Sequence, residues 1–122
     1  MIAYSTFGVN DMDRAIAFYD ATFAPLGAVR DTTSPTWSGY VRAGDRARFF
    51  LTRPFDRAEA TGGNGTMLAF LAESREAIDQ FHAAALANGG TCEGPPGPRG
   101  EGFYAGYFRD PDGNKLNAFI MG

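Results

Sequence analysis

The sequence predicts an α+β fold of two βαβββ modules in pseudo-repeat, forming curved mixed sheets around a pocket. Three observations lead there. Shifted by 63 positions the chain falls on itself, with Phe7 on Phe70, Asp11 on Ser74, Phe18 on Phe81, Ala24 on Ala87 and Gly27 on Gly90. Behind each strand-like opening, apolar residues recur at helical steps of three and four. The segment 104–119 then reads as an aromatic strand, a turn and a second apolar strand.

In chain order, the first strand spans Ile2 to Val9 and ends at Asp11, a good N-cap residue. Met12, Ile16, Tyr19 and Phe23 form the buried stripe of the following helix, which stops near Pro25 because a proline disfavours helix in the residue before it. Strands over Ala28 to Asp31, Thr36 to Ala43 and Arg48 to Arg53 complete module one, about residues 1–61. Gly62-Gly63-Asn64-Gly65 reads as a flexible joint. Module two, about 66–122, opens with a strand over Thr66 to Ala72, caps its helix with Ser74, and carries Ile78, Phe81 and Ala85 on the buried stripe. Asn88-Gly89-Gly90 signals the helix end. Strands over Thr91 to Glu93, Phe103 to Arg109 and Lys115 to Met121 follow, and Gly94-Pro95-Pro96-Gly97-Pro98 is read as a loop, excluded from helix and central strand. In the last hairpin Pro111 fixes its own φ, Asp112 and Asn114 bond their own backbone and Gly113 accepts a positive φ. The 122 residues, 44% of them hydrophobic, are expected to form one domain, since a module of about 60 residues buries too little apolar surface alone.

Composition excludes several classes. Eleven basic against fourteen acidic side chains give a net charge of −3, and no basic run offers the concentrated cationic face that nucleic acid needs. No apolar stretch approaches the roughly 18 residues that cross a bilayer, so no membrane partner is expected. The lone Cys92 cannot form an internal disulfide and the N-terminus lacks a signal-peptide pattern, which makes a reducing, cytoplasmic setting the expectation.

Helices on one face of each sheet leave the other free to curve around a ligand. Alternation along the strands turns Phe7 and Val9 to the first helix and Ile2, Tyr4 and Thr6 to the concave side; Leu68 and Phe70 meet the second helix, leaving Met67, Ala69 and Leu71 concave. In the last strand Leu116, Ala118 and Ile120 pack outward and Asn117, Phe119 and Met121 inward.

Gly8-Val9-Asn10-Asp11 with Ala17-Phe18-Tyr19 and Ala24-Pro25-Leu26-Gly27, then Phe81-His82-Ala83-Ala84-Ala85 before Gly89-Gly90, and Arg109-Asp110-Pro111-Asp112-Gly113-Asn114 together resemble the glyoxalase / bleomycin-resistance / dioxygenase superfamily, the vicinal oxygen chelate fold, over nearly the whole chain. The resemblance implies a divalent metal held by His and Glu from both halves. Carried over, the ligand positions fall on Tyr4, Met67, Asn117 and either Phe50 or Phe49, none a customary ligand. Asp31 and Glu93, the acidic residues nearest, lie in the short strands. The expectation is therefore a site without metal and no cofactor. Members of the family often pair as dimers, which implies a homodimer, with the halves closing within one chain or across two.

The expected ligand-binding residues are Tyr4, Trp37, Phe50, Met67, Tyr104, Asn117 and Phe119, gripping a small aromatic or carboxylate-bearing molecule by stacking, with Asn117 and a tyrosine hydroxyl fixing its orientation. At least one of Tyr40, Tyr104 and Tyr107 should face the cavity. The alternative is a lyase or isomerase acting on a carbonyl compound, with Tyr4 or another cavity tyrosine as proton donor and Asn117 or an arginine stabilising an enolate; it lacks a base. Other candidates have plain structural readings. His82 sits where Tyr19 sits in the other copy, on the helix, and Cys92 has no basic neighbour to activate it. Arg42, Arg48, Arg53 and Arg109 can keep strand edges soluble or can reach the pocket mouth. Asp110, Asp112 and Asn114 read as a turn scaffold.

Overall fold

The computed structural model describes residues 1–122. Module one comprises β1 (Tyr4–Gly8), α1 (Met12–Phe23), a 3-10 turn (Ala24–Leu26), β2 (Ala28–Thr33), β3 (Trp37–Arg42) and β4 (Arg48–Thr52). Module two comprises β5 (Leu68–Leu71), α2 (Arg75–Ala87), β6 (Thr91–Pro98), β7 (Phe103–Arg109) and β8 (Lys115–Met121). The strand orders are β1-β4-β3-β2 and β5-β8-β7-β6, so the repeat seen in the sequence is a repeat of topology. In each sheet the first strand runs parallel to the last of its module, and the other pairings are antiparallel.

The helices begin where their caps place them. The Asp11 carboxylate accepts from the Arg14 N–H at 3.0 Å and the Ser74 hydroxyl from the Ala77 N–H at 3.1 Å. At the far ends Gly27 takes φ 79° after the 3-10 turn, and the Gly90 N–H returns to the Ala85 carbonyl at 2.8 Å. These bonds satisfy terminal groups that the helices leave open.

Both helices and the backs of both sheets share one core. Phe7, Val9, Phe18, Tyr19, Phe23 and Phe49 of module one and Ile78, Phe81, Phe108 and Leu116 of module two belong to a single buried cluster. Phe23 stacks on Phe81 at 6.3 Å, Phe18 meets Phe108 at 6.0 Å and Phe49 meets Phe70 at 5.9 Å. Each such ring contributes roughly 1.5–3 kcal/mol by leaving water. Because the helix-covered faces meet around this core, and no strand of one sheet pairs with a strand of the other, the two concave faces look outward instead of toward each other.

A polar staple ties the modules at one end. Asp110, 3% exposed, accepts from the Tyr19 hydroxyl at 2.6 Å and from Asn114 Nδ2 at 2.9 Å, and Asn114 Nδ2 also reaches the Gly8 carbonyl at 3.0 Å. Asp112 accepts from the Asn10 N–H at 3.0 Å and from Arg14 at 2.8 Å. The Asp110–Asn114 turn thus does more than reverse the chain, as the sequence suggested; it grips module one.

Two sequence expectations need correction. Gly94 to Pro98 is not a loop but the outer half of β6, an edge strand whose proline nitrogens need no partner there. The irregularity shows in its register, which shifts between Cys92 and Gly94 and again between Gly94 and Gly97. The joint at Gly62 to Gly65 is also not open chain throughout. A Cβ on Gly62 would lie 2.0 Å from the Gly113 carbonyl oxygen, so the joint is seated on the staple turn.

Candidate functional site

The concave face of the first sheet carries an aromatic cluster. Tyr4, Thr6 and Gly8 of β1 stand in register with Arg48, Phe50 and Thr52 of β4, and Gly39 and Trp37 of β3 with Phe50 and Thr52. The Phe50 ring lies over Gly39, where a Cβ would be 2.6 Å from its edge. Trp37 stacks on Phe50 at 4.9 Å and 25°, and Tyr4 meets it edge-on at 5.4 Å. The Arg48 guanidinium covers the same ring at 4.8 Å and is held by Asp31. Tyr4 and Trp37 nonetheless remain 61% and 42% exposed. At the end of this face, Thr6, Trp37, Thr52 and the segment from Arg53 to Thr61 line a more polar hollow of about 670 Å³.

The second sheet presents a different concave face. Asn117 of β8 sits between Ala69 of β5 and Tyr107 of β7, with Lys115 and Phe119 before and after it on the same side. Phe119 stacks on Phe103 at 5.2 Å. Lys115 and Arg99 approach the Tyr107 ring at 5.8 and 5.7 Å. Arg109 is engaged by Glu93 at 2.5 Å and by the Gly113 carbonyl at 2.7 Å. Met67, at the mouth of β5, is 41% exposed.

Of the seven residues expected from the sequence, Tyr4, Trp37 and Phe50 come together on the first sheet, and Met67, Asn117 and Phe119 lie on the second. Tyr104 is elsewhere. It alternates with Phe103 and Ala105 to the helix side, where its hydroxyl donates to Asp79 of α2 at 2.6 Å and Arg75 covers its ring at 4.8 Å. Tyr40 also faces inward to the core, donating to Asp20 at 2.8 Å. The phenol on the concave face of the second sheet is Tyr107. Its phase was hidden because both faces of β7 carry aromatic rings. Arg42 joins the modules, its Nη1 donating to the Leu71 carbonyl at 2.6 Å.

Register also fixes the repeat-related positions. Thr6 pairs with Phe50 as Ala69 pairs with Asn117, so Phe50, not Phe49, is the counterpart of Asn117. Phe49 is core, edge-on to Phe7 at 5.3 Å. Phenol, phenyl, thioether and amide therefore occupy the four positions, a donor set that does not fit a divalent metal. No group of three or more His, Cys, Asp or Glu side chains is placed to hold an ion. The titratable groups with displaced pKa values lie on the helix side. Burial pushes the Asp110 carboxyl up despite four hydrogen bonds that oppose it, and burial pushes His82 down.

A further cleft, about 490 Å³, opens at the seam between the modules among Ile2, Phe23, Leu26, Phe49, Phe70 and Leu71. It contains none of the seven expected residues and looks into the shared core, so the concave faces remain the candidate site.

Two βαβββ modules with exposed aromatic concave faces define the class: a paired-module α+β fold. The chain belongs to the Glyoxalase/Bleomycin resistance protein/Dioxygenase superfamily, whose profile matches residues 2–118. A glyoxalase/bleomycin resistance protein from Albidiferax ferrireducens T118 is 42% identical, with 98% of this chain and 97% of that one covered and a TM-score of 0.90. A glyoxalase-related enzyme from Fulvimarina pelagi (19% identity, 98% and 86% covered, TM-score 0.80) and a lactoylglutathione lyase from Agrobacterium tumefaciens (20%, 98% and 92%, 0.69) share the fold. No curated protein matches the chain.

Proposed function

We propose that this protein binds a small, flat, partly aromatic molecule between concave faces, without a metal. The observation that carries this reading is the Tyr4–Phe50–Trp37 cluster. A chain with a well-filled aromatic core nevertheless leaves stacked rings on a concave surface, and such patches mark sites of interaction. Stacking supplies about 0.5–1.5 kcal/mol per ring pair beyond burial. The lyase or isomerase reading has less support, because the carboxylates that reach the concave faces, Asp31 and Glu93, are held by Arg48 and Arg109.

The cavity is assembled from two copies of the chain. One copy turns its concave faces away from each other, so the first-sheet face of one protomer needs the second-sheet face of its partner to enclose a ligand. Edge strands β1 and β5 and the apolar seam cleft between them supply the contact. No helix is long and apolar enough to cross a membrane, and the exposed Cys92 thiol suits a reducing, cytoplasmic setting.

Trp37 is the single tryptophan, so its emission reports directly on the site. Titrating the protein with a panel of planar aromatic compounds is expected to change Trp37 emission saturably, and Phe50→Ala to weaken the response about five- to tenfold. A flat emission trace across the panel, with no shift in melting temperature, would defeat the proposal.

A further inference from the structure

Of the four strand-end arginines able to reach an anion, the fold commits three. Arg42 is engaged by Asp45 and the Leu71 carbonyl, Arg48 by Asp31, and Arg109 by Glu93 and the Gly113 carbonyl. Arg53 is left over. It follows β4 directly, half-buried, with its backbone N–H tied to the Thr36 carbonyl at 2.8 Å, and no carboxylate pairs with its guanidinium. Its Nε is sealed without a hydrogen bond, so a partner can meet it only through the two terminal nitrogens, which are open and unbonded. Arg53 lines the hollow of about 670 Å³ at the end of the first concave face, together with Thr6 and Trp37. The loop that walls this hollow is fixed in advance. Asn10 grips Ala60 through both amide atoms, accepting from its N–H at 2.7 Å and donating to its carbonyl at 3.3 Å. Asp56 turns back to the Ala58 N–H at 2.9 Å and Arg57 to the Pro54 carbonyl at 3.1 Å.

A half-buried guanidinium with no counter-charge is an arrangement that an arriving anion relieves. Its paired terminal N–H groups match the two oxygens of a carboxylate. A phosphate dianion carries more charge than one arginine offsets, and Asp56 and Glu59 on the same rim oppose it. Trp37 stands in register with Thr52, the residue before Arg53, so the indole and the guanidinium enter the hollow from neighbouring strands. Building on the binding function above, we propose that the ligand is a planar aromatic carboxylate, its ring against Trp37 and Phe50 and its carboxylate on the terminal nitrogens of Arg53. Glu59 is the competing charge, and it restricts the hollow to a monoanion.

Two matched probes, 2-naphthoate and its uncharged amide 2-naphthamide, test this when titrated against Trp37 emission and by calorimetry. The expected result is that the carboxylate binds at least about tenfold more tightly than the amide. In Arg53→Gln that preference is expected to fall below about twofold, the loss falling on the carboxylate, and in Glu59→Gln naphthoate binding is expected to strengthen about two- to threefold. Equal binding of the two probes by the parent, or a preference that survives Arg53→Gln, overturns the Arg53 reading and leaves the aromatic cavity standing. Loss of self-association in Arg53→Gln overturns it too, since the arginine would then belong to a contact between copies. Binding of neither probe overturns both readings. If Arg53→Gln does not fold, Glu59→Gln is decisive by itself, and an unchanged naphthoate affinity there removes the carboxylate from this hollow.

Discussion

Tyr19 and Asp110 show how one buried bond couples the modules to pH. The Asp110 carboxyl is raised first by burial, and the Tyr19 hydrogen bond is the largest of the effects that lower it. A carboxyl whose folded pKa exceeds its unfolded value binds more protons in the native state, so its contribution to stability falls as pH rises from the unfolded pKa, about 3.9, through the folded one. Removing the hydroxyl in Tyr19→Phe raises the folded pKa further and leaves the charged form less supported. We expect Tyr19→Phe to cost about 1.5–3 kcal/mol at pH 7, the range for a hydrogen bond to a charged group, and clearly less at pH 4. Urea denaturation at the two pH values measures this, and an equal loss at both would show that the carboxylate's charge is irrelevant to the bond. His82 works in the opposite direction: its lowered pKa makes stability fall as pH drops through the unfolded value near 6.5.

Among the elements, the joint between modules shows where the sequence was and was not readable. Gly62-Gly63-Asn64-Gly65 carries the composition of a flexible linker, and Gly65, at φ 99°, has open space where a Cβ would stand. Gly62 does not, because the constraint on it comes from Gly113, some fifty residues away, and no local pattern encodes that contact. Gly62→Ala is expected to destabilise the protein by about 1–3 kcal/mol or more, as overpacking against backbone does, and a melting temperature within about 1 °C of the parent would contradict it. The same division holds elsewhere. Both helices, their caps and the concave phase of β1, β5 and β8 were legible because each is set by local periodicity. The outer half of β6 was not, since prolines are poor strand formers except on an edge, and edge position is a tertiary fact. Tyr107 in place of Tyr104 depends on pairing with Asn117, which aromatic alternation on both faces of β7 concealed.

At the scale of the whole molecule, the direction of the two concave faces determines how many chains make a site. Phe23 on Phe81 and Phe49 on Phe70 lock the modules back to back, so Tyr4, Trp37 and Phe50 cannot reach Asn117, Tyr107 and Phe119 of the same chain without dismantling the core. In the dimer proposed above, two copies about a twofold axis would form two equivalent cavities, each taking one face from either protomer. Complementation distinguishes this from closure within a chain. Take Phe50→Ala, which damages the first face, and Phe119→Ala, which damages the second, and suppose each variant alone binds an aromatic probe poorly. Mixed and allowed to exchange subunits, they form heterodimers in which one cavity holds both lesions and the other holds neither. Statistical exchange places half of the chains' dimers in that form, so binding capacity at parental affinity should recover to about one quarter of the parental number of cavities. With sites built within single chains every cavity carries a lesion, and mixing restores none.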